Sequence, residues 1–297
     1  MLSRGMARTI SIVGAGRVGT TLARRLRALG WRIGAVVTRS QSTSRAAVRK
    51  VGAGKPLGHL SPEVLAADVV LLATPDAVLE AVARVLAQLG RRACRGKIIL
   101  HTSGALGRDV LAPLARCGAA TGSLHPMQTF SGHGTPPLAG IIFAVEGDPK
   151  ALHLAQQLAR SLGGTPVTIA GSAKPAYHAA GVLVAGHALA LVEAAVQTLM
   201  RIGFSRPRAL ETLLPLMRQM LDNFKSIGPR AAWTGPVARG DYSTVARHVR
   251  ALRGYPPEFR RTYAALALLG GRLLSKTPAR TLARLERALK DSGGGTL

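Results

Sequence analysis

A β-rich run that breaks into glycine and restarts as a helix constrains this chain more than any other feature. Residues 9–19 read TISIVGAGRVG, with Gly14, Gly16 and Gly19 in G-x-G-x-x-G spacing. Ile10, Ile12 and Val13 favour a strand before the glycines, and Leu22, Ala23, Leu26 and Leu29 recur at helical spacing after them. The glycines therefore fall at a strand-to-helix turn, the context in which this spacing is a dinucleotide fingerprint. Gly14 permits the tight turn, Gly16 lets backbone N–H groups approach a pyrophosphate, and Gly19 lets helix and strand pack closely. The helix N-terminus, with Arg17 and Val18 in its first turn, faces the phosphate charge. A glycine-rich turn that binds nothing is the alternative.

Residues 32–38 (RIGAVVT) read as the second strand. Its end is where the adenine ribose is recognised. An Asp or Glu there binds the 2′-hydroxyl of NAD and repels a 2′-phosphate. Here stand Thr38, Arg39 and Ser40, followed by Ser42, Ser44 and Arg45, with no acid among them. A guanidinium clamps phosphate through a bidentate fork, and hydroxyls add donors. The segment points to NADP(H), although a plain basic surface loop has the same composition.

Downstream, apolar runs alternate with helical patterns. Residues 68–73 form a continuously apolar strand, as buried parallel strands are, ending in Thr74, Pro75 and Asp76. Ligands of doubly wound sheets sit beyond the carboxyl ends of strands, so Thr74 and Pro75 should line the cofactor site. Asp76 reads more simply as the N-cap of the next helix. Residues 60–67 are expected to form a short helix capped by Ser61. The strand at 97–100 ends in His101, Thr102 and Ser103, with His101 and Ser103 toward the nicotinamide side. A helix near 109–116, strands into His125 and at 140–145 and 166–169, and a helix at 149–162 follow. After Gly171 the strand signals vanish and helices are expected at 172–201, 206–224, 241–252, 258–274 and 278–290. The fold class is α/β: a doubly wound, mostly parallel Rossmann sheet over residues 1–171, then a smaller all-helical substrate and dimerisation domain over 172–297. Residues 293–297 look disordered.

Charge narrows the ligand class. Lys and Arg number 40 against 14 Asp and Glu, a formal net charge of +26 over 297 residues. Such a field draws in anions: nucleotide cofactors and small anionic substrates. Nucleic acid is not the expected partner, because the arginines are scattered along helical stretches and aromatics are only 4%, too few to stack single strands. Cys94 and Cys117 are far apart and form no Cys-x-x-Cys, which points to no metal site, no disulfide framework and a reducing cytoplasm. The first strand starts within ten residues, leaving no room for a secretory apolar segment. Residues 176–200 are almost wholly apolar and long enough to span a bilayer, yet hold His178, His187, Glu193 and Gln197. The expectation is a buried soluble helix at a homodimer interface and no membrane partner.

Six segments in this order, GAGRVG at 14–19, ATPD at 73–76, HTSGAL at 101–106, GSLHPMQTF at 122–130, KPAYHAAG at 174–181 and TGPVARGD at 234–241, carry a resemblance over almost the whole chain. The chain resembles an uncharacterised family that pairs a Rossmann-like domain with a helical domain of unknown function. More broadly it is similar to the 6-phosphogluconate-dehydrogenase-like reductases, which include pyrroline-5-carboxylate reductase, the β-hydroxyacid dehydrogenases and prephenate dehydrogenase. The resemblance implies this two-domain fold and an NADP-dependent redox activity, without naming a substrate.

Lys174 and His178 are four residues apart and share a helix face that continues through Gly181, Ala185 and Ala188. Ser172 is a candidate cap, and Pro175 is tolerated in the first turn. A positive helix end and a cationic protein would favour a neutral amine, able to act as acid or base. A lysine at a helix start and a satisfied core histidine would look the same. The β-hydroxyacid dehydrogenases place a catalytic Lys and an Asn at this spacing, so the resemblance implies a catalytic Lys174, with His178 where those enzymes have Asn. His187 falls on the opposite face. The loop at Thr234 and Arg239 is similar in position to the loop that holds substrate carboxylate in pyrroline-5-carboxylate reductase. A Gly-Pro turn followed by Asp241 as N-cap accounts for it equally well. The expected function is a cytoplasmic NADP(H)-dependent oxidoreductase moving a hydride to or from a small anionic C=O or C=N compound. Lys174 and His178 would handle the proton, and His101, His125, Thr234 and Arg239 would contact substrate. A nucleotide-binding regulatory protein without turnover is one alternative. A prephenate-dehydrogenase-like enzyme, sharing His125-Pro126-Met127, is another.

Overall fold

The computed structural model describes residues 8–132 and 134–291; residues 293–297, where disorder is expected, lie outside them. The chain divides into two compact units, Met1–His187 and Ala188–Leu297. The first unit runs β1 (Thr9–Val13), α1 (Arg17–Ala28), β2 (Arg32–Val37), α2 (Gln41–Val51), β3 (Lys55–Leu57), β4 (Val69–Leu72), α3 (Asp76–Gln88), α4 (Arg91–Cys94), β5 (Ile98–His101), α5 (Ala112–Arg116), β6 (Ala120–Pro126), β7 (Ile142–Gly147), α6 (Pro149–Ser161), β8 (Thr165–Thr168) and α7 (Lys174–Val182). Its eight strands form one sheet in the order β3-β2-β1-β4-β5-β6-β7-β8. Neighbours are parallel except β6 and β7. Strand order reverses between β1 and β4, which makes the carboxyl end of that pair the topological switch point.

Alternation along the strands feeds both faces of this sheet. Ile10 and Ile12 of β1 join Leu22 and Leu26 of α1 and Leu154 and Leu158 of α6 in one buried cluster. Val13 of β1 joins Leu72 of β4, Leu79 and Leu86 of α3 and Leu114 of α5 in the other. A sheet covered on both faces needs strands that are apolar throughout, and Val69–Leu72 is buried at every position.

Several local expectations change. The helix after Arg39 and the short β3 are legible only in three dimensions: Ser40 caps α2 by accepting from the Thr43 N–H, and β3 finds its place by pairing with β2. Pro75, not Asp76, occupies the N-cap position of α3, and Asp76 lies in its first turn. The segment Pro62–Ala66 is a 3-10 turn in which the Ser61 side chain caps nothing. Ser172 does not cap α7 either. It belongs to a 3-10 turn, Gly171–Ala173, that leads into the helix.

Residues 172–187 pack with the sheet unit. Helix α7 passes through a π-helical turn, Leu183–His187, into the second unit. That unit comprises α8 (Ala188–Arg201), α9 (Arg206–Ile227), α10 (Pro229–Ala232), α11 (Tyr242–Ala251), α12 (Pro257–Leu274) and α13 (Pro278–Asp291). Its core is small, centred on Val245, Val249, Ala264, Leu285 and Leu289. The apolar helical run Gly171–Arg201 meets the length and hydropathy of a membrane span, and only 6% of its most apolar window is buried. The expected burial of this helix is therefore not supplied by the described residues.

Candidate active site

The glycine turn has the geometry its spacing requires. Gly14 adopts φ +90°, and a Cβ there would lie 2.6 Å from the Ala73 carbonyl and the Thr74 nitrogen. A Cβ on Gly19 would fall on the Gly14 carbonyl oxygen, whereas one on Gly16 would meet open space. Gly14 and Gly19 thus hold the turn tight, and Gly16 leaves its outer face clear for a ligand. The Thr74 hydroxyl beyond β4 is buried without a hydrogen-bond partner, at the switch point. An open cradle beside an orphaned buried hydroxyl fits a dinucleotide.

Beside this turn lies a cavity of 830 Å³ walled by Gly16, Arg17, Thr20, Arg24, Thr38 and Lys50, with Phe130 and Thr135 on the facing segment. Arg17 donates to the Phe130 carbonyl at 3.4 Å, and Arg24 donates to the Thr135 hydroxyl at 3.0 Å. Arg17 thus lines the cavity beside the turn while its guanidinium bonds the Phe130 backbone. Thr38, Ser40, Thr43 and Ser44 bond one another and the backbone, fixing the start of α2. Arg39 stands exposed beside them.

A second cluster grows from the same sheet. Val13, Leu72, His101 and Ser123 are partners in register, one residue per strand across β1, β4, β5 and β6. At the far end of this row Lys174 Nζ donates to Ser123 Oγ at 2.8 Å. Three strand spacings, about 14 Å, separate it from the strand that carries the glycine turn. Lys174 is 1% exposed. Burial lowers its pKa to about 8, while Glu146 and Asp76 pull the other way. The expected direction holds, but its main cause is desolvation rather than a helix end. Glu146 is itself fixed, accepting from the Arg108 N–H at 3.1 Å.

His125 meets Tyr177 OH through Nδ1 at 3.2 Å and stacks edge-on with His178, ring centroids 6.0 Å apart. Burial first, then Lys174 and His178, lowers the His125 pKa to about 4, and burial pushes Tyr177 up to about 12. With the phenol as donor, His125 accepts at Nδ1 and keeps its proton on Nε2. That nitrogen faces Gly104, where a Cβ would sit 2.6 Å away and 2.7 Å from the His178 ring. His101 is fully buried. Its pKa falls to about 3 through burial, then Lys174, with the Gly107 backbone opposing. Its Nδ1 accepts from the Ser103 N–H at 3.2 Å, while Ser103 Oγ accepts from the Ala105 and Leu106 N–H groups.

The structure therefore gathers His101, His125, Lys174 and His178 at one sheet edge and adds Ser123, Tyr177 and Gly104, which sequence reasoning passed over. Ser123 and Gly104 lie inside segments that carry the family resemblance, so position beside His125 and His101 was the available signal. In the second unit Arg239 lines a cavity of 430 Å³ that Thr234 does not reach. Asp241 caps α11, accepting from the Thr244 N–H at 3.0 Å.

Comparison with known proteins divides the chain earlier than the two compact units do, so that β7, α6, β8 and α7 fall in the second match. Residues 4–126 match the model of a Rossmann-like domain, and residues 141–269 match a domain of unknown function, DUF2520. The chain joins a Rossmann-like domain to a DUF2520 domain. No curated protein is matched. Among solved structures, a Bacteroides fragilis protein provisionally named an NADP oxidoreductase superposes with TM-score 0.70 at 23% identity, covering 88% of this chain and 96% of its own. The 1-pyrroline-5-carboxylate reductase of Streptococcus pyogenes gives 0.58 at 14% identity, covering 96% and 98%. A reductive aminase of Aspergillus terreus, in complex with NADPH and ethyl-5-oxohexanoate, gives 0.59 at 18%, covering 98% and 97%. At these identities the likeness is one of fold.

Proposed function

We propose that the protein is an NADP(H)-dependent oxidoreductase acting on a small anionic C=O or C=N compound, or on the corresponding alcohol or amine. The observation that carries this reading is the row from Val13 to Ser123, with the glycine turn following its first strand and the buried Lys174 bonded to its last. The α1 N-terminus and Gly14–Gly19 would hold the pyrophosphate, Arg39 and Ser40 the 2′-phosphate, and Thr74 would bond the cofactor at the switch point. The nicotinamide, when bound, supplies or accepts the hydride. Proton handling falls to this chain. An ammonium with pKa about 8 is mostly charged at neutral pH and still gives up its proton readily. Ser123 Oγ fixes where that proton is offered. His125, neutral and oriented by Tyr177, presents Nε2–H beside His178 and orients rather than titrates. Likeness to solved NADP oxidoreductases and to an NADPH-bound reductive aminase supports the cofactor assignment.

The test is a fluorescence titration with NADPH and NADH, then a screen of keto acids and imines with the cofactor that binds. Binding of NADPH well above NADH, with turnover of an anionic substrate, is expected. Failure of both cofactors to bind would remove the reading. Binding without turnover would favour a nucleotide sensor, the second reading, which rests on His178 standing where a catalytic Asn is found in the β-hydroxyacid dehydrogenases.

We also propose a homodimer through the helical unit. Leu216, Met220, Phe224 and Ile227 recur along one face of α9, with Leu216 68% exposed, and α8 exposes Leu189.

A further inference from the structure

The amino ends of β5 and β6, opposite the glycine turn, carry chemistry that this reaction does not use. Cys94 ends α4 just before β5, and Cys117 follows α5 just before β6. Cys94 Sγ donates to the Leu86 carbonyl at 3.8 Å, and Cys117 Sγ donates to the Ala87 carbonyl at 3.6 Å. Two sulfurs thus converge on the carbonyls of consecutive residues in the last turn of α3. Both are free thiols. Cys94 is fully buried, and its pKa is raised by burial and then by the charge and hydrogen bonding of Cys117.

Cys117 is half-buried and forms part of the wall of a cavity of about 660 Å³, otherwise lined by Arg91, Arg92, Arg95, Ala115, Arg116 and Gly118. No carboxylate lines this cavity. None of its four arginines makes an ion pair among the described residues. On its other side Cys117 borders a cavity holding Glu80 and Asp109, but Glu80 is engaged by Arg84. Four arginines without an ion pair among the described residues share this cavity wall with Cys117, and their charge draws anions to it. Their planar forks suit carboxylates.

We propose that Cys117 is a thiol-exchange site for small carboxylate-bearing disulfides of the glutathione type, with Cys94 as its resolving thiol. In the first step Cys117 loses its proton to solvent and its thiolate attacks one sulfur of the incoming disulfide. A bond to Cys117 Sγ forms, the external S–S bond breaks, and one half leaves as a thiolate that takes up a proton. In the second step the Cys94 thiol gives up its proton and its thiolate attacks Cys117 Sγ. The bond from Cys117 Sγ to the remaining half breaks, that half leaves as a thiolate which takes up the proton, and a Cys94–Cys117 disulfide remains. The two protein sulfurs lose two electrons and the external disulfide gains them.

The test treats the folded protein with glutathione disulfide and maps its cysteines by mass spectrometry. Wild type should form the Cys94–Cys117 disulfide, Cys94→Ser should stop as a mixed disulfide on Cys117, and Cys117→Ser should stay unmodified. Replacing Arg91, Arg92, Arg95 and Arg116 together by Gln should slow reaction with glutathione disulfide about tenfold or more. Reaction with uncharged 2-hydroxyethyl disulfide should stay within about twofold. Thermal unfolding of each variant confirms that it is folded. The proposal is overturned if the folded protein stays reduced where the urea-unfolded chain oxidises, if Cys94 is the residue first modified, or if the arginine variant reacts with both disulfides as wild type does.

Discussion

Replacing Lys174 by Met separates what this side chain costs the fold from the proton-handling role proposed for it. Burial pulls its pKa from 10.5 to about 8, so between these values the unfolded chain binds a proton that the folded chain has released. Stability of the wild type should therefore rise with pH across that window, and the full penalty should be present below pH 8. At about 1.4 kcal/mol per pKa unit the penalty is roughly 3 kcal/mol. Methionine fills the same volume without charge but loses the bond to Ser123, worth about 1 kcal/mol. The variant should then be roughly 2 kcal/mol more stable than wild type at pH 7. The advantage should shrink to nothing, or reverse, by pH 10.5. Urea unfolding of both proteins at half-unit pH steps measures this, because titrations common to both cancel in the difference. An advantage that stays flat from pH 7 to 10.5 would show that Lys174 is not desolvated in the fold. On any substrate found, turnover by the variant should fall about 100-fold or more, the scale of general acid–base catalysis. Unimpaired turnover would exclude Lys174 from the chemistry.

Four further outcomes can be checked. Arg39→Asp should shift binding from NADPH toward NADH, and an unchanged ratio in the two titrations would refute the role given to Arg39. Gly14→Ala, at φ +90° and against the Ala73 backbone, should cost about 1–3 kcal/mol in chemical unfolding and abolish cofactor binding. His101 and His125, with pKa values lowered to about 3 and about 4 chiefly by burial, bind fewer protons folded than unfolded below pH 6.5. Stability should fall between pH 6.5 and 4 with a slope approaching two protons, about 2.8 kcal/mol per pH unit, and His125→Gln should remove about one of them. In sedimentation the wild type should be dimeric at micromolar concentration and the Leu216→Glu, Phe224→Glu double variant monomeric; a monomeric wild type would sink the α9 interface.

The glycine turn, the strand runs and the helical second half were legible because each rests on local rules: spacing, alternation and period. TISIVGAGRVG needs no partner to declare a strand, a turn and a helix. The Lys174–His178 pair was legible as one helix face, and Asp241 as a cap, for the same reason. What local rules misjudged were boundaries and caps. Pro75 rather than Asp76 stands at the head of α3, and Ser172 sits in a 3-10 turn, because the approach of neighbouring chain decides which residue turns first. Helix period cannot say which core a helix joins, and residues 172–187 pack with the sheet unit. The low pKa of Lys174 could be foreseen in direction but not in cause. Desolvation depends on everything packed around an atom, and nothing in the residues near 174 encodes Ser123 or Glu146.

The sequence by itself determined that this chain builds a glycine turn on a mostly parallel sheet, because backbone freedom at Gly14 and apolarity along the strands are properties of neighbouring residues. Tertiary structure alone decided that His101, Ser123, His125 and Lys174 form one cluster and that two cysteines more than twenty residues apart share the last turn of α3. Strand register carries residues from distant stretches into one row, and a proton's affinity or a thiol's reactivity is set by what register and burial place beside it.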